Sequence, residues 1–120
     1  MSLRTKVSAV VIGAAAVAGM IVTAPGAFAQ GCVREPAGKL VCTEYPSSGG
    51  VLRLYVYTNN TVQGEDTAGR NVHLDKAVPG GWEGPLGGGA GWTSILGRQG
   101  TSWRACVNVG GGAYHCTVFA

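Results

Sequence analysis

Residues 101–120, TSWRACVNVGGGAYHCTVFA, decide the fold. Two β-prone runs, WRACVNV and AYHCTVFA, are separated by Gly110, Gly111 and Gly112. Consecutive glycines between β-branched and aromatic runs signal a hairpin, because tight hairpin loops need positive φ. With the three glycines as the loop, Val109 faces Ala113 as the closing pair. Asn108 then faces Tyr114, Val107 faces His115, and Cys106 faces Cys116. Counted outward, the cysteine pair is non-hydrogen-bonded, with Cα atoms about 4.5 Å apart, within reach of a disulfide.

The same arithmetic applies a second time. CVREPAGKLVCT (32–43) and CVNVGGGAYHCT (106–117) align without a gap and share Cys, Val, the third loop Gly, Cys and Thr. In the first copy Pro36, Ala37 and Gly38 form the loop, Glu35 faces Lys39, and Cys32 faces Cys42. The match reads as a structural repeat. Of the three pairings open to four cysteines, the two hairpins select Cys32–Cys42 and Cys106–Cys116. Each staple stabilises by roughly 2–3 kcal/mol through the unfolded chain. Zinc is disfavoured, since no Cys-x-x-Cys knuckle is present.

Disulfides imply an oxidising compartment, and the start of the chain agrees. Arg4 and Lys6 precede the apolar run VSAVVIGAAAVAGMIV; Pro25 and Gly26 break it, and Ala27-Phe28-Ala29 supplies a small-x-small cleavage pattern. Residues 1–29 read as a helical secretory signal peptide of bacterial, alanine-rich type, cut before Gln30. Residues 30–120 then form one small disulfide-stabilised β domain, secreted and extracellular. Removing Arg4 and Lys6 from the nine basic residues leaves seven against six acidic. So near-neutral a balance argues against a nucleic-acid partner and against membrane association after cleavage.

Along the mature chain, Tyr45-Pro46-Ser47-Ser48-Gly49-Gly50 is a turn cluster. VLRLYVYT (51–58) is the strongest strand, with Leu52, Leu54 and Val56 toward the core. Val51, Arg53, Tyr55 and Tyr57 take the other face, which is mixed and open to a binding role. Asn59-Asn60 turns the chain into Thr61-Val62-Gln63, and GEDTAGR (64–70) reads as a polar loop. NVHLDKAV (71–78) alternates again, with Val72 and Leu74 inward and His73 and Asp75 on the solvent face of an edge strand. Pro79-Gly80-Gly81 ends it. Residues 80–91, GGWEGPLGGGAG, from Gly80 to Gly91, read as a protruding loop, because glycine loses the most backbone freedom on ordering. Trp92 to Leu96 is a short strand, and Arg98-Gln99-Gly100 turns into the closing hairpin. Six or seven short strands and no helical period predict an all-β fold, a small antiparallel β-sandwich or barrel with two disulfide-stapled hairpins.

No specific catalytic constellation is found. Gly-x-Ser-x-Gly and Gly-Lys-Ser/Thr are absent from the sequence. His73 and Asp75 could join Ser94 or Ser102 in a hydrolytic triad, or His115 at a metal, but neither spacing is characteristic. Glu65-Asp66 reads as a solvated loop pair. No catalytic residue, metal or cofactor is therefore expected, and the protein is read as a monomeric binding module, not an enzyme.

The tryptophans carry more information. Trp103 enters the closing hairpin as a core candidate; Trp82 sits among glycines with little apolar mass to cover it. The leading expectation is a proteinaceous inhibitor of an extracellular hydrolase. Its contacts would be Trp82, Glu83, Pro85, Leu86 and Trp92, with Arg70 and Arg98 as basic residues. The alternative is a carbohydrate or cell-envelope binder stacking on Trp82, Trp92 and the Tyr55/Tyr57 face; a secreted hydrolase is third. Coplanar exposed aromatics would favour the glycan, and a single projecting loop the inhibitor.

Overall fold

The computed structural model describes residues 31–120. The expected signal peptide, residues 1–29, lies outside the described residues, as does Gln30. Nine strands follow in order: β1 Cys32–Arg34, β2 Leu40–Glu44, β3 Leu52–Val56, β4 Thr61–Asp66, β5 Asn71–Val78, β6 Gly81–Ala90, β7 Leu96–Gly97, β8 Trp103–Gly110 and β9 Ala113–Cys116. They form two sheets with every pairing antiparallel, β1-β2-β3-β4-β7 and β6-β5-β8-β9. Among the described residues no helix is long and apolar enough to cross a membrane.

Period-two alternation builds the core. The first sheet contributes Leu40, Cys42, Leu52, Leu54, Val56 and Val62; the second adds Val72, Leu74, Trp103, Ala105 and Val107. Trp103 is 1% exposed, and its indole N–H donates to the Arg98 carbonyl at 2.7 Å, so its polar atom is satisfied. After β9 the chain continues along β8. Thr117 N donates to Ala105 O at 2.8 Å, and Ala120 exchanges two bonds with Trp103.

Both staples form as the register requires. Cys32 pairs with Cys42 and Cys106 with Cys116, at Cα separations of 3.9 and 4.0 Å. The first hairpin closes on Glu35 and Lys39, with Gly38 at φ +100°. The second closes more tightly than the three-glycine loop implies. Gly110, not Val109, pairs with Ala113, and Val109 is displaced into an irregularity. Gly111 and Gly112 both take positive φ, +61° and +78°, as a two-residue type I′ loop needs. The Asn108 side chain accepts a bond from Gly110 N at 2.8 Å and fixes the shift. The two motifs also face differently. Cys32 and Cys42 join the core, whereas Cys106 lies on the outer face of the second sheet, under cover.

Three further expectations are corrected. Residues 64–66 are strand, not loop: β4 runs to Asp66, and only residues 67–70 turn. The Trp92 to Leu96 strand is reduced to a single bridge, Glu65 to Trp92, and the two-residue β7. The largest change is at residues 80–91. They form no projecting loop; β6 is a ten-residue edge strand paired along β5, which places β5 and its His73 and Asp75 in the sheet interior.

Two of the β6 glycines, Gly84 and Gly89, have steric reasons. Two register shifts, between Val72 and Leu74 and between Leu74 and Lys76, each insert one extra residue into β6. Gly84 and Pro85 fall in one bulge, where the missing proline N–H breaks no ladder bond; their peptide is cis. A Cβ on Gly84 would collide with the Asp75 carboxylate, and one on Gly89 with the Trp92 carbonyl. Close backbone approach therefore demands glycine at both positions, and pairing with β5 offsets its entropy.

Candidate binding site

On β3 the alternation that buries Leu52, Leu54 and Val56 turns Arg53 and Tyr55 outward, with Tyr57 just beyond the strand end. On β4 it turns Gln63 and Glu65 to the same face, in register with Tyr55 and Arg53. Each phenol reaches the diagonal cross-strand neighbour. Tyr55 O–H donates to Glu65 at 2.6 Å and Tyr57 O–H to Gln63 at 2.7 Å. The repeated step aligns the rings: centroids are 6.0 Å apart and planes 6° from parallel. Trp92, held by its bridge to Glu65, extends the row. Its ring lies 5.8 Å from Tyr55 at 19° and is 47% exposed. Lys39 places its ammonium 5.1 Å from the Tyr55 centroid and 6.0 Å from that of Tyr57.

Electrostatics hold the row in place. Arg53 pairs with Glu65 at 3.3 Å. Burial, reinforced by the Glu65 hydrogen bond and charge, pushes the Tyr55 phenol up to about 12. Burial also raises Tyr57, against the opposing charge of Lys39. Both phenols stay protonated donors, and both rings keep one orientation. Beyond Tyr57 the row opens on a cavity of about 370 Å³ that includes Arg34, Asn60 and Arg98 in its lining.

The outer face of the second sheet carries a separate cleft of about 210 Å³, lined by Trp82, Pro85, His73, Asp75, Arg104 and Tyr114 among others. Its charges are satisfied internally. Asp75, 3% exposed, accepts from Arg104 Nε at 2.9 Å and lies 3.3 Å from His73 Nε2. The Arg104 guanidinium is packed between the Trp82 and Phe119 rings at 4.8 and 4.7 Å. His73, Asp75 and Cys106 bring three donor atoms within 4.8 Å of one another. Cys106 is bonded to Cys116 and offers no thiolate, so the set does not make a metal centre in the oxidised protein. Neither Ser94 nor Ser102 lines this cleft, and His115 points elsewhere, 3.4 Å from Glu44.

The residues singled out in the sequence are thus spread over several surfaces. Trp82, 58% exposed, and Pro85 line the second-sheet cleft; Glu83 beside them pairs with Lys76 at 3.2 Å. Leu86 packs on the core, and Trp92 joins the tyrosine face of the first sheet. Arg70 is committed to Asp66 and to the 48–49 turn, and Arg98 lines the cavity beyond Tyr57. Lys39, Gln63 and Glu65 belong to the aromatic face and escape the sequence reading. Gln63 and Glu65 could have been found by extending the alternation of β3 across the Asn59-Asn60 turn. No family model, curated protein or solved structure matches the chain.

Proposed function

We propose that the protein is a carbohydrate- or cell-envelope-binding module, not an enzyme, that works outside the cytoplasm. The observation carrying this reading is the row Trp92–Tyr55–Tyr57, three near-parallel rings on one sheet face. A pyranose presents polarised C–H bonds to the negative face of an aromatic ring and hydroxyls around its rim. Here Glu65, Gln63, Arg53 and Lys39 supply acceptors and donors beside the rings. Two disulfides fit an oxidising compartment, where extracellular glycans are met.

Pull-down on insoluble polysaccharides, followed by calorimetry on soluble oligosaccharides, tests the proposal. Trp92→Ala is expected to lower affinity about tenfold or more with little change in melting temperature, because Trp92 is half exposed. Unchanged binding in that variant would remove the reading.

Inhibition of an extracellular hydrolase remains the second reading, favoured by one observation. The edge strand β6 presents Trp82 and Glu83 at its exposed start, before Ser94 N covers the Gly87 carbonyl, and an exposed edge can pair with a partner's strand. Trp82→Ala would then abolish inhibition and leave glycan binding intact.

A further inference from the structure

We infer that the glycan bound by the aromatic face is anionic, and that Arg34 and Arg98 receive its oxyanion group, a carboxylate, sulfate or phosphate ester. The inference rests on the carbohydrate reading above. Tyr57 is both the last ring of the row and part of the wall of the 370 Å³ cavity. A chain lying along the rings therefore meets the two arginines at its end. Leu40 and Val56 contribute apolar lining, which lowers the local dielectric and strengthens any ion pair formed there.

Arg98 is built into position. Its amide donates to Asn60 O at 2.9 Å, and its carbonyl accepts from the buried Trp103 indole at 2.7 Å. Its Nε is buried and has no hydrogen-bond partner among the described residues. A buried donor without an acceptor leaves the guanidinium charge uncompensated, and an anion held against the part of Arg98 that lines the cavity would offset that charge. Arg34 comes from the opposite side, with Nη1 anchored on Gly38 O at 2.7 Å. Among the described residues no Asp or Glu lines the cavity. Guanidinium groups match the planar geometry of carboxylate and the oxygens of sulfate or phosphate. Lys39, paired with Glu35 at 3.4 Å, places a further cation over the rings.

Two polymer series test this with the backbone held constant: dextran, carboxymethyl-dextran and dextran sulfate, then cellulose, carboxymethyl-cellulose and cellulose sulfate. Affinities are measured by calorimetry on the disulfide-intact protein. The charged members should bind about ten- to a hundredfold tighter than the neutral one, and Arg98→Met should erase that preference while leaving neutral binding in place. The carboxymethyl and sulfate arms distinguish the source of the oxyanion. If Arg98→Met does not fold, Arg34→Met gives the same comparison. The Arg98 Nε–H resonance of the unaltered protein should also shift on titration with dextran sulfate. Equal affinity for charged and neutral members, with Trp92→Ala still lowering affinity, overturns the anionic inference alone. So does a preference that survives both arginine variants. Failure to bind any member of either series overturns the carbohydrate reading as well.

Discussion

Replacing Arg70 by methionine probes the buried ion pair that locks two turns together. Asp66 is 2% exposed and accepts three bonds from Arg70: from the amide at 2.7 Å, Nε at 3.0 Å and Nη2 at 2.9 Å. The same guanidinium donates to Ser48 Oγ at 2.7 Å and Gly49 O at 2.6 Å, tying the 46–50 turn to the β4–β5 turn. Burial pushes the Asp66 carboxyl up, but the side-chain and backbone hydrogen bonds from Arg70, with its charge, outweigh burial and hold it below its ordinary value. Methionine keeps the stem and deletes four side-chain hydrogen bonds, leaving a buried carboxylate with only the backbone amides of residues 68 and 70. Removing one partner of a buried pair costs about 3–5 kcal/mol. Because Arg70 is 21% exposed, water replaces part of the loss and the lower end applies. Some 3 kcal/mol corresponds to a fall of roughly 12–24 °C in melting temperature for a chain of this size.

Thermal and urea unfolding at neutral pH, with disulfides intact, read this directly. The pH dependence gives a second reading with a fixed sign. A carboxyl whose folded pKa is depressed contributes stability above its unfolded value, about 3.9, and loses it as pH falls through the folded value. The unaltered protein should lose this contribution below about pH 4, and its gap over Arg70→Met should narrow in that window. Asp66→Asn combined with Arg70→Met should be more stable than Arg70→Met alone, since no charge is then stranded. A loss under about 1 kcal/mol, or a gap constant from neutral to acid pH, would refute the reasoning.

Gly84→Ala should destabilise by about 1–3 kcal/mol, because its methyl meets the Asp75 carboxylate. Gly81→Ala, with open space at its Cβ, should change stability by less than about 0.5 kcal/mol in the same unfolding assay. An alkaline absorbance titration should show a phenol ionising at about 12, absent in Tyr55→Phe. Since that folded pKa is raised, the stabilisation is present below about pH 10 and is lost as pH climbs toward 12. Tryptic digestion without reduction should leave residues 105–120 as one internally bridged peptide; a peptide linking Cys32 or Cys42 to Cys106 would reject both hairpins. Replacing Cys106 and Cys116 together by serine should cost roughly 3 kcal/mol in urea unfolding.

Local chemistry made much of this molecule legible. Cysteines ten apart around a glycine-bearing loop can meet only if the intervening strands pair, so both bridges follow from spacing. Alternation along residues 51–58 placed Leu52, Leu54 and Val56 inside and the tyrosines outside, because successive side chains of a strand point to opposite faces. Residues 80–91 resisted the same treatment. Glycine has low strand propensity, and nothing within the segment shows that β5 will pair with it.

The chain on its own determined which cysteines join and how residues 51–58 alternate, since sterics and loop length act within about a dozen positions. Tertiary structure alone decided that Trp92 lies beside Tyr55 and Trp82 over Arg104 on opposite sheets. It also decided that Asp66 and Asp75 are buried with arginine partners, and that Arg98 meets Arg34 at the end of the aromatic row. Those outcomes depend on contacts between residues far apart in the chain. Their strength is set by what else is excluded from water when two sheets close, which no single segment encodes.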